Sequence, residues 1–204
     1  MRRTKEEAAK TKESIFQAGI RLLASKGVQQ TSMSDIARAA GVTRGAIYWH
    51  FSNKEDLYNE IYARLSIFYE AILSIAEDSK PLLWSLKETL QTVLRRFSED
   101  EEFRLLQSLQ IQIGMLYPGQ NVLESDENMR ENRIQTLFEN RCLAEGVCSK
   151  TNTQTLLLAL QSFVLGTFTT QILLGSRLSE DQINQYIDYF IHGLNITLKG
   201  EIDA

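Results

Sequence analysis

Between Thr31 and Lys54 the chain concentrates side chains suited to contacting nucleic acid. Arg44 carries a planar guanidinium whose paired N–H donors match the O6 and N7 acceptors of a guanine edge. Thr43 precedes it as an N-cap, which puts both residues at the start of a short helix, where recognition helices meet bases. Gly45 follows, and a glycine inside a helix costs about 1 kcal/mol relative to alanine. It is either a tolerated residue in a short helix or a position where any side chain would strike DNA. Tyr48, Trp49 and His50 are consecutive, so on a helix they point in different directions and cannot all be core. Tyr48 and His50 have polar tips suited to phosphate oxygens, while Trp49 either supports the helix or contacts the backbone. Lys54, at the start of a further helix, joins a cation to free backbone N–H groups and suits a phosphate. Thr31 and Ser32 offer hydroxyls at the start of the preceding helix. Simple capping also explains Ser32 and Thr43, and the two roles are compatible.

These residues need elements to hold them. Two short helices crossing steeply require a small residue on the inner face of the first, a turn residue that tolerates positive φ, and a large apolar residue facing back from the second. Ala37, Gly41 and Ile47 meet these demands, supported by Ile36 and Val42. A preceding helix is expected from about Glu6 to Lys26, with Ile15, Phe16, Gly19, Ile20, Leu22 and Leu23 at helical spacing and Gly27 as its stop. Ser32 with Asp35 resembles a capping box. A third helix covers Arg44 to His50, and Phe51 packs inside. Ser52 with Glu55 repeats the capping-box spacing and opens one long fourth helix carrying Leu57, Ile61, Leu65, Phe68, Ile72 and Ile75. Further helices are expected from Pro81, from Glu101, over Asp126 to Glu145, over Thr151 to Leu174, and from a Ser179 cap to about Lys199. Tyr117-Pro118-Gly119 marks a turn. With only two prolines and a dominance of helix formers, the chain is expected to be all-α.

The formal net charge of −4 hides an asymmetry. Residues 1–54 hold ten basic and four acidic side chains, a net of +6, and the remainder holds 12 basic and 22 acidic, a net of −10. A basic module that can release counterions from phosphates is joined to an acidic one that DNA repels.

Several classes lack their ingredients. The two histidines, His50 and His192, sit in no metal-ligand pattern, and no nucleophile motif stands out, so neither an enzyme nor a metal or other cofactor is expected. Cys142 and Cys148 read as reduced thiols rather than a disulfide framework. The polar start of the chain resembles no signal peptide. No uninterrupted apolar run reaches the length of a membrane span, so a cytoplasmic protein without a membrane partner is expected.

The run from Thr31 to Leu57, TSMSDIARAAGVTRGAIYWHFSNKEDL, resembles the DNA-binding signature of TetR-family repressors, above all the AcrR-like branch that controls multidrug efflux operons. The likeness extends over about Lys12 to Tyr62. It implies an N-terminal three-helix helix-turn-helix domain, placed at 1–54, and a larger C-terminal helical domain for ligand binding and dimerisation, at 55–204. It implies a homodimer on palindromic double-stranded operator DNA, released by a small hydrophobic or drug-like inducer. By motif position, Thr31, Ser32, Thr43, Arg44, Gly45, Tyr48, His50 and Lys54 match DNA-contacting positions, and Trp49 is added from its place in the run.

For the C-terminal part the residues leave choices open. The last helix carries Ile183, Tyr186, Ile187, Phe190, Ile191, Leu194 and Leu198, a broad apolar face. The helix before it carries Leu156, Leu160, Phe163, Val164, Thr167, Phe168 and Ile172, with Leu157 and Leu158 widening the face and Gly166, Thr167, Thr169 and Thr170 permitting close approach. Both stripes serve either a monomer core or a four-helix dimer interface. A drug-like ligand needs an apolar cavity with aromatic walls. Phe68, Trp84, Phe103, Phe138 and Phe168 are the candidates, with Met115 and Phe163 beside them.

Overall fold

The computed structural model describes residues 5–64, 67–116, 125–146 and 150–202. Ten α-helices occur among them: α1 (Lys5–Lys26), α2 (Met33–Ala39), α3 (Arg44–His50), α4 (Lys54–Arg64), α5 (Ile67–Glu77), α6 (Leu82–Glu99), α7 (Glu101–Leu116), α8 (Ser125–Ala144), α9 (Lys150–Leu174) and α10 (Glu180–Ile202). The described residues contain no β-strand. The turn expected at Pro118 and the thiol of Cys148 lie outside them.

The chain forms two compact units. The first holds α1 to α4 and, from Leu105 onward, most of α7. Its centre is the apolar stripe of α1, where Ile15, Phe16, Gly19, Ile20 and Leu23 are buried against Ile36, Ala37, Ile47, Leu57 and Ile61. A β-carbon on Gly19 would stand 3.1 Å from a Leu57 methyl and 3.5 Å from Ile36, so the missing side chain lets α2 and α4 close onto α1. Gly27, at φ +94°, ends α1, and Gly41, at φ +67°, makes the turn between α2 and α3. Both conformations are strained for any residue with a β-carbon.

One expectation about α4 changes. Of the long helix expected after Ser52, the described residues hold α4 and α5, and the two positions between them lie outside those residues. The cap is one residue later than expected. Asn53 Oδ1 accepts from the Asp56 N–H at 2.8 Å, and the Asp56 carboxylate accepts from the Ser52 N–H at 2.8 Å. Salt bridges fasten α4 to α1 within the first unit: Lys12 to Glu60 at 2.6 Å and Arg64 to Glu13 at 2.7 Å.

In the second unit α5 packs on α6 and α8, α6 on α9 and α10, and α8 on α9. Phe97 and Phe168 stack at 4.1 Å between ring centres, with Phe103 edge-on to both. The α6–α10 seam has a polar margin, with Lys87 to Asp188 at 2.5 Å, Gln91 to Asn184 at 2.7 Å and Arg95 to Glu180 at 3.0 Å. Arg141 on α8 is buried and donates to the carbonyls of Ile75, Asp78 and Lys80. Its ion-pair partner Glu145 accepts from the Leu82 N–H at 2.8 Å. One buried cation thus caps the C-terminal end of α5, and its acidic partner caps the start of α6.

The second unit leaves apolar surface bare. Leu158, Leu165, Leu173 and Leu174 on α9, and Tyr186 and Tyr189 on α10, are exposed, Leu173 to 78%. Contrary to expectation, one helical segment, Thr153–Leu174, is long and apolar enough to cross a membrane. Its threonines and glutamines interrupt every apolar run, yet no charge falls within it, so its average remains apolar.

Candidate nucleic-acid interface

The two helices of the candidate interface, α2 and α3, are set by local sequence. Ser32 caps α2: its Oγ accepts from the Asp35 N–H at 3.1 Å, and the Asp35 carboxylate accepts from the Ser32 N–H at 3.1 Å, completing the expected capping box. Thr43 caps α3 by accepting from the Ala46 N–H at 3.1 Å. From Val42 an N–H reaches back to the Ala37 carbonyl at 3.0 Å, which fixes the turn. Ile47 is fully buried, so α3 has one defined inward side.

The opposite side of α3 is open. Thr43, Arg44, Gly45, Tyr48 and Trp49 are exposed, Trp49 to 73%. The Arg44 guanidinium carbon lies 5.9 Å from the centre of the Tyr48 ring, a cation–π placement that holds the arginine along the outer face. The rings of Trp49 and His50 meet edge to face at 4.4 Å. Apart from its chain neighbours and the backbone of its own helix, no described atom lies within 4 Å of a β-carbon placed on Gly45, so packing does not ask for glycine there.

Two expected contact residues are engaged elsewhere. The Thr31 side chain is buried, and its hydroxyl donates to the Gly27 carbonyl at 2.8 Å, which makes it a fastening of the α1–α2 connection. The Lys54 ammonium donates to the Val28 carbonyl at 2.9 Å, and its other two N–H groups leave room for a phosphate.

One cluster was not singled out from the sequence. The Asp35 carboxylate takes the Lys26 ammonium at 2.9 Å and the Arg38 guanidinium at 2.6 Å, besides the Ser32 N–H and hydroxyl. These hydrogen bonds, that of Lys26 foremost, hold its pKa well below the ordinary carboxylate range. The i, i+3 spacing of Asp35 and Arg38 was a readable signal. Lys26 arrives only through tertiary packing.

In the second unit an apolar cavity of about 40 Å³ is lined by α5, α6 and α9, through Ala71, Ile72, Ile75, Leu86, Leu160 and Phe168 among others. Of the aromatic candidates, Phe168 lines it. Phe103 and Phe138 are buried outside its lining, and Met115 is exposed. Trp84 is half-exposed beneath the Lys80 ammonium, 4.0 Å from its ring centre, so it belongs to the surface rather than to a cavity wall. Phe163 is stacked between Tyr186 and Phe190 of α10. The side chain of Phe68 lies outside the described residues.

Residues 15–61 match the family model described as "Bacterial regulatory proteins, tetR family". Over 115 residues the chain is 41% identical to "HTH-type transcriptional regulator AcrR" of Shigella flexneri, covering 53% of this chain and 51% of that one. It is 35% identical over 168 residues to "Probable acrEF/envCD operon repressor" of Escherichia coli K12, covering 79% and 66%. The chain thus spans from about half to just under two thirds of the length of these two curated relatives. The crystal structure of NalD, the secondary repressor of the MexAB-OprM multidrug efflux pump in Pseudomonas aeruginosa, superposes with a TM-score of 0.65 at 26% identity, covering 92% of this chain and 96% of that one.

Proposed function

The chain belongs to the TetR family of bacterial regulatory proteins, and from that premise we propose that it represses transcription by binding palindromic operator DNA as a homodimer, is released by a small hydrophobic inducer, and controls a multidrug efflux operon. The observation that carries the DNA-binding part is the outer face of α3. Arg44, Gly45 and Tyr48 are exposed together on a helix whose inner side is anchored by Ile47. A two-donor arginine there reads a base edge, while exposed Ser32 and Thr43 and the half-buried Lys54 set the register on phosphates. The efflux assignment rests on the names of the relatives and on NalD.

The bare leucines of α9 and the tyrosines of α10 support the homodimer, because a water-soluble chain buries a contiguous apolar face against something, and a second copy offers the same face. The apolar lining of the second-unit cavity supports a hydrophobic inducer. Drug-sized ligands occupy roughly 300–1,000 Å³, so the cavity must widen around one. That gives the ligand a preference for an altered arrangement of α5, α6 and α9, which linkage requires of an inducer.

The test is fluorescence anisotropy with labelled DNA from the region upstream of the chain's own gene, against scrambled DNA at several salt concentrations. Tight binding to the upstream fragment alone is expected, weakened by drug-like hydrophobic compounds. Equal binding to both DNAs would reduce the site to a basic patch. Sedimentation of Leu173→Lys with Tyr189→Lys tests the dimer: the double variant is expected to run as a monomer beside a dimeric parent, and a dimeric variant refutes that interface.

A further inference from the structure

We propose that Asp35 is a positioning residue that gathers Lys26 and Arg38 into a two-cation clamp for a DNA phosphate, adding both cations to the contact surface. The inference rests on the DNA-binding reading of the same helices. Four donors converge on the one carboxylate: the Ser32 N–H at 3.1 Å, the Ser32 hydroxyl at 2.8 Å, Lys26 at 2.9 Å and Arg38 at 2.6 Å. The first two serve the cap, and a single cation would already balance the charge. The second cation leaves the cluster with a net charge of +1. A lone carboxylate beside Ser32 would repel phosphate, whereas this arrangement attracts it.

The two cations reach the cluster from different helices, Lys26 from the end of α1 and Arg38 from α2. Their side chains are 43% and 78% exposed, while that of Asp35 is 22% exposed, so the cations stand outward of the group that holds them. An ammonium has three N–H donors and a guanidinium five. Each cation gives one hydrogen bond to Asp35, which leaves donors for an incoming oxygen. Holding two long side chains in advance also removes part of the entropy that each would lose on binding.

The experiment measures operator affinity against salt for the full chain and for Lys26→Gln, Arg38→Gln, Asp35→Asn and, as a control on the second unit, Lys87→Gln, with thermal unfolding to confirm that each variant is folded. Each phosphate contact contributes about 0.9 to the slope of log affinity on log salt. Lys26→Gln and Arg38→Gln are each expected to reduce that slope by about 1 while keeping the ratio of operator to scrambled DNA unchanged, and Lys87→Gln leaves it alone. Asp35→Asn adds a positive charge, which by itself would steepen the slope; loss of positioning instead makes it shallower. Unchanged slopes for Lys26→Gln and Arg38→Gln, in a parent that binds operator, overturn the clamp alone. A steeper slope for Asp35→Asn overturns the positioning role. A parent without salt-sensitive DNA binding overturns both the clamp and the function it rests on.

Discussion

The Arg64 guanidinium carbon lies 3.8 Å from the centre of the Phe16 ring, so the last residue of α4 is stacked on the apolar stripe of α1. Glu13 binds the same guanidinium through both oxygens, at 3.1 and 2.7 Å, and Glu60 approaches it from within α4 at 3.2 Å. Lys12 closes the network on Glu60. A planar cation that stacks and makes bidentate contacts calls for arginine, and lysine cannot replace it.

This network sets an acid limit on the first unit. The Arg64 hydrogen bonds, followed by that of Gln17, pull the Glu13 pKa from 4.5 down to about 2. A lowered native pKa means that the stabilisation is complete above pH 4.5 and is lost as the pH falls towards 2. Glu13→Gln is expected to flatten the pH dependence of the thermal midpoint in that window. In a double-mutant cycle with Arg64→Met, the coupling should be about 0.5–1 kcal/mol for this partly exposed pair. A cycle that closes at zero would show the pair to be ornamental.

Gly45 separates folding from contact. With no packing partner beyond its own helix near a β-carbon there, Gly45→Ala should gain about 1 kcal/mol of helix propensity and raise the melting temperature by a few degrees. The same variant should bind operator about tenfold more weakly, because the added methyl occupies the surface proposed to face DNA. A stabilised variant with full affinity would mean that glycine is merely tolerated there.

Arg44 and Lys54 should fail differently. Arg44→Ala is expected to lose about 1–3 kcal/mol of discrimination between operator and altered bases while the fold stays intact. Lys54→Ala also strands the Val28 carbonyl, so it should cost about 1 kcal/mol of stability and weaken binding to all sequences alike. Chemical denaturation and competition with scrambled DNA distinguish the two patterns.

Arg141→Met removes the donor for three carbonyls at the end of α5 and the turn that follows. A loss on the order of 2–3 kcal/mol is expected, read as a lower midpoint in urea. An unchanged midpoint would show that water satisfies those carbonyls as well as the guanidinium does.

The sequence was most informative where structure is local. Ser32 with Asp35, Thr43 with Ala46, and the glycines at 27 and 41 act within four residues, and each stands as expected. Ambiguity began where two adjacent residues suited the same role. Ser52 and Asn53 are both capping types, Glu55 and Asp56 are both acids, and the second of each pair is used. Partners distant in sequence were out of reach. Nothing local ties Lys54 to Val28, Arg64 to Glu13 or Arg141 to Ile75. Residue type also misplaced Trp84, since a large aromatic ring covered by a lysine can remain at the surface.

Pairing through the bare face of α9, as proposed above, would make gene dosage a folding variable. Leu173 and Leu174 are each more than 70% exposed on a single copy. With the proposed dimer, a newly made chain carries an aggregation-prone stripe until it finds a mate, and pairing strengthens with concentration by mass action. Weak expression prolongs that interval and gives proteases and chaperones their opportunity. Abundance and stability are then linked, and the melting temperature of the purified protein should climb with its concentration.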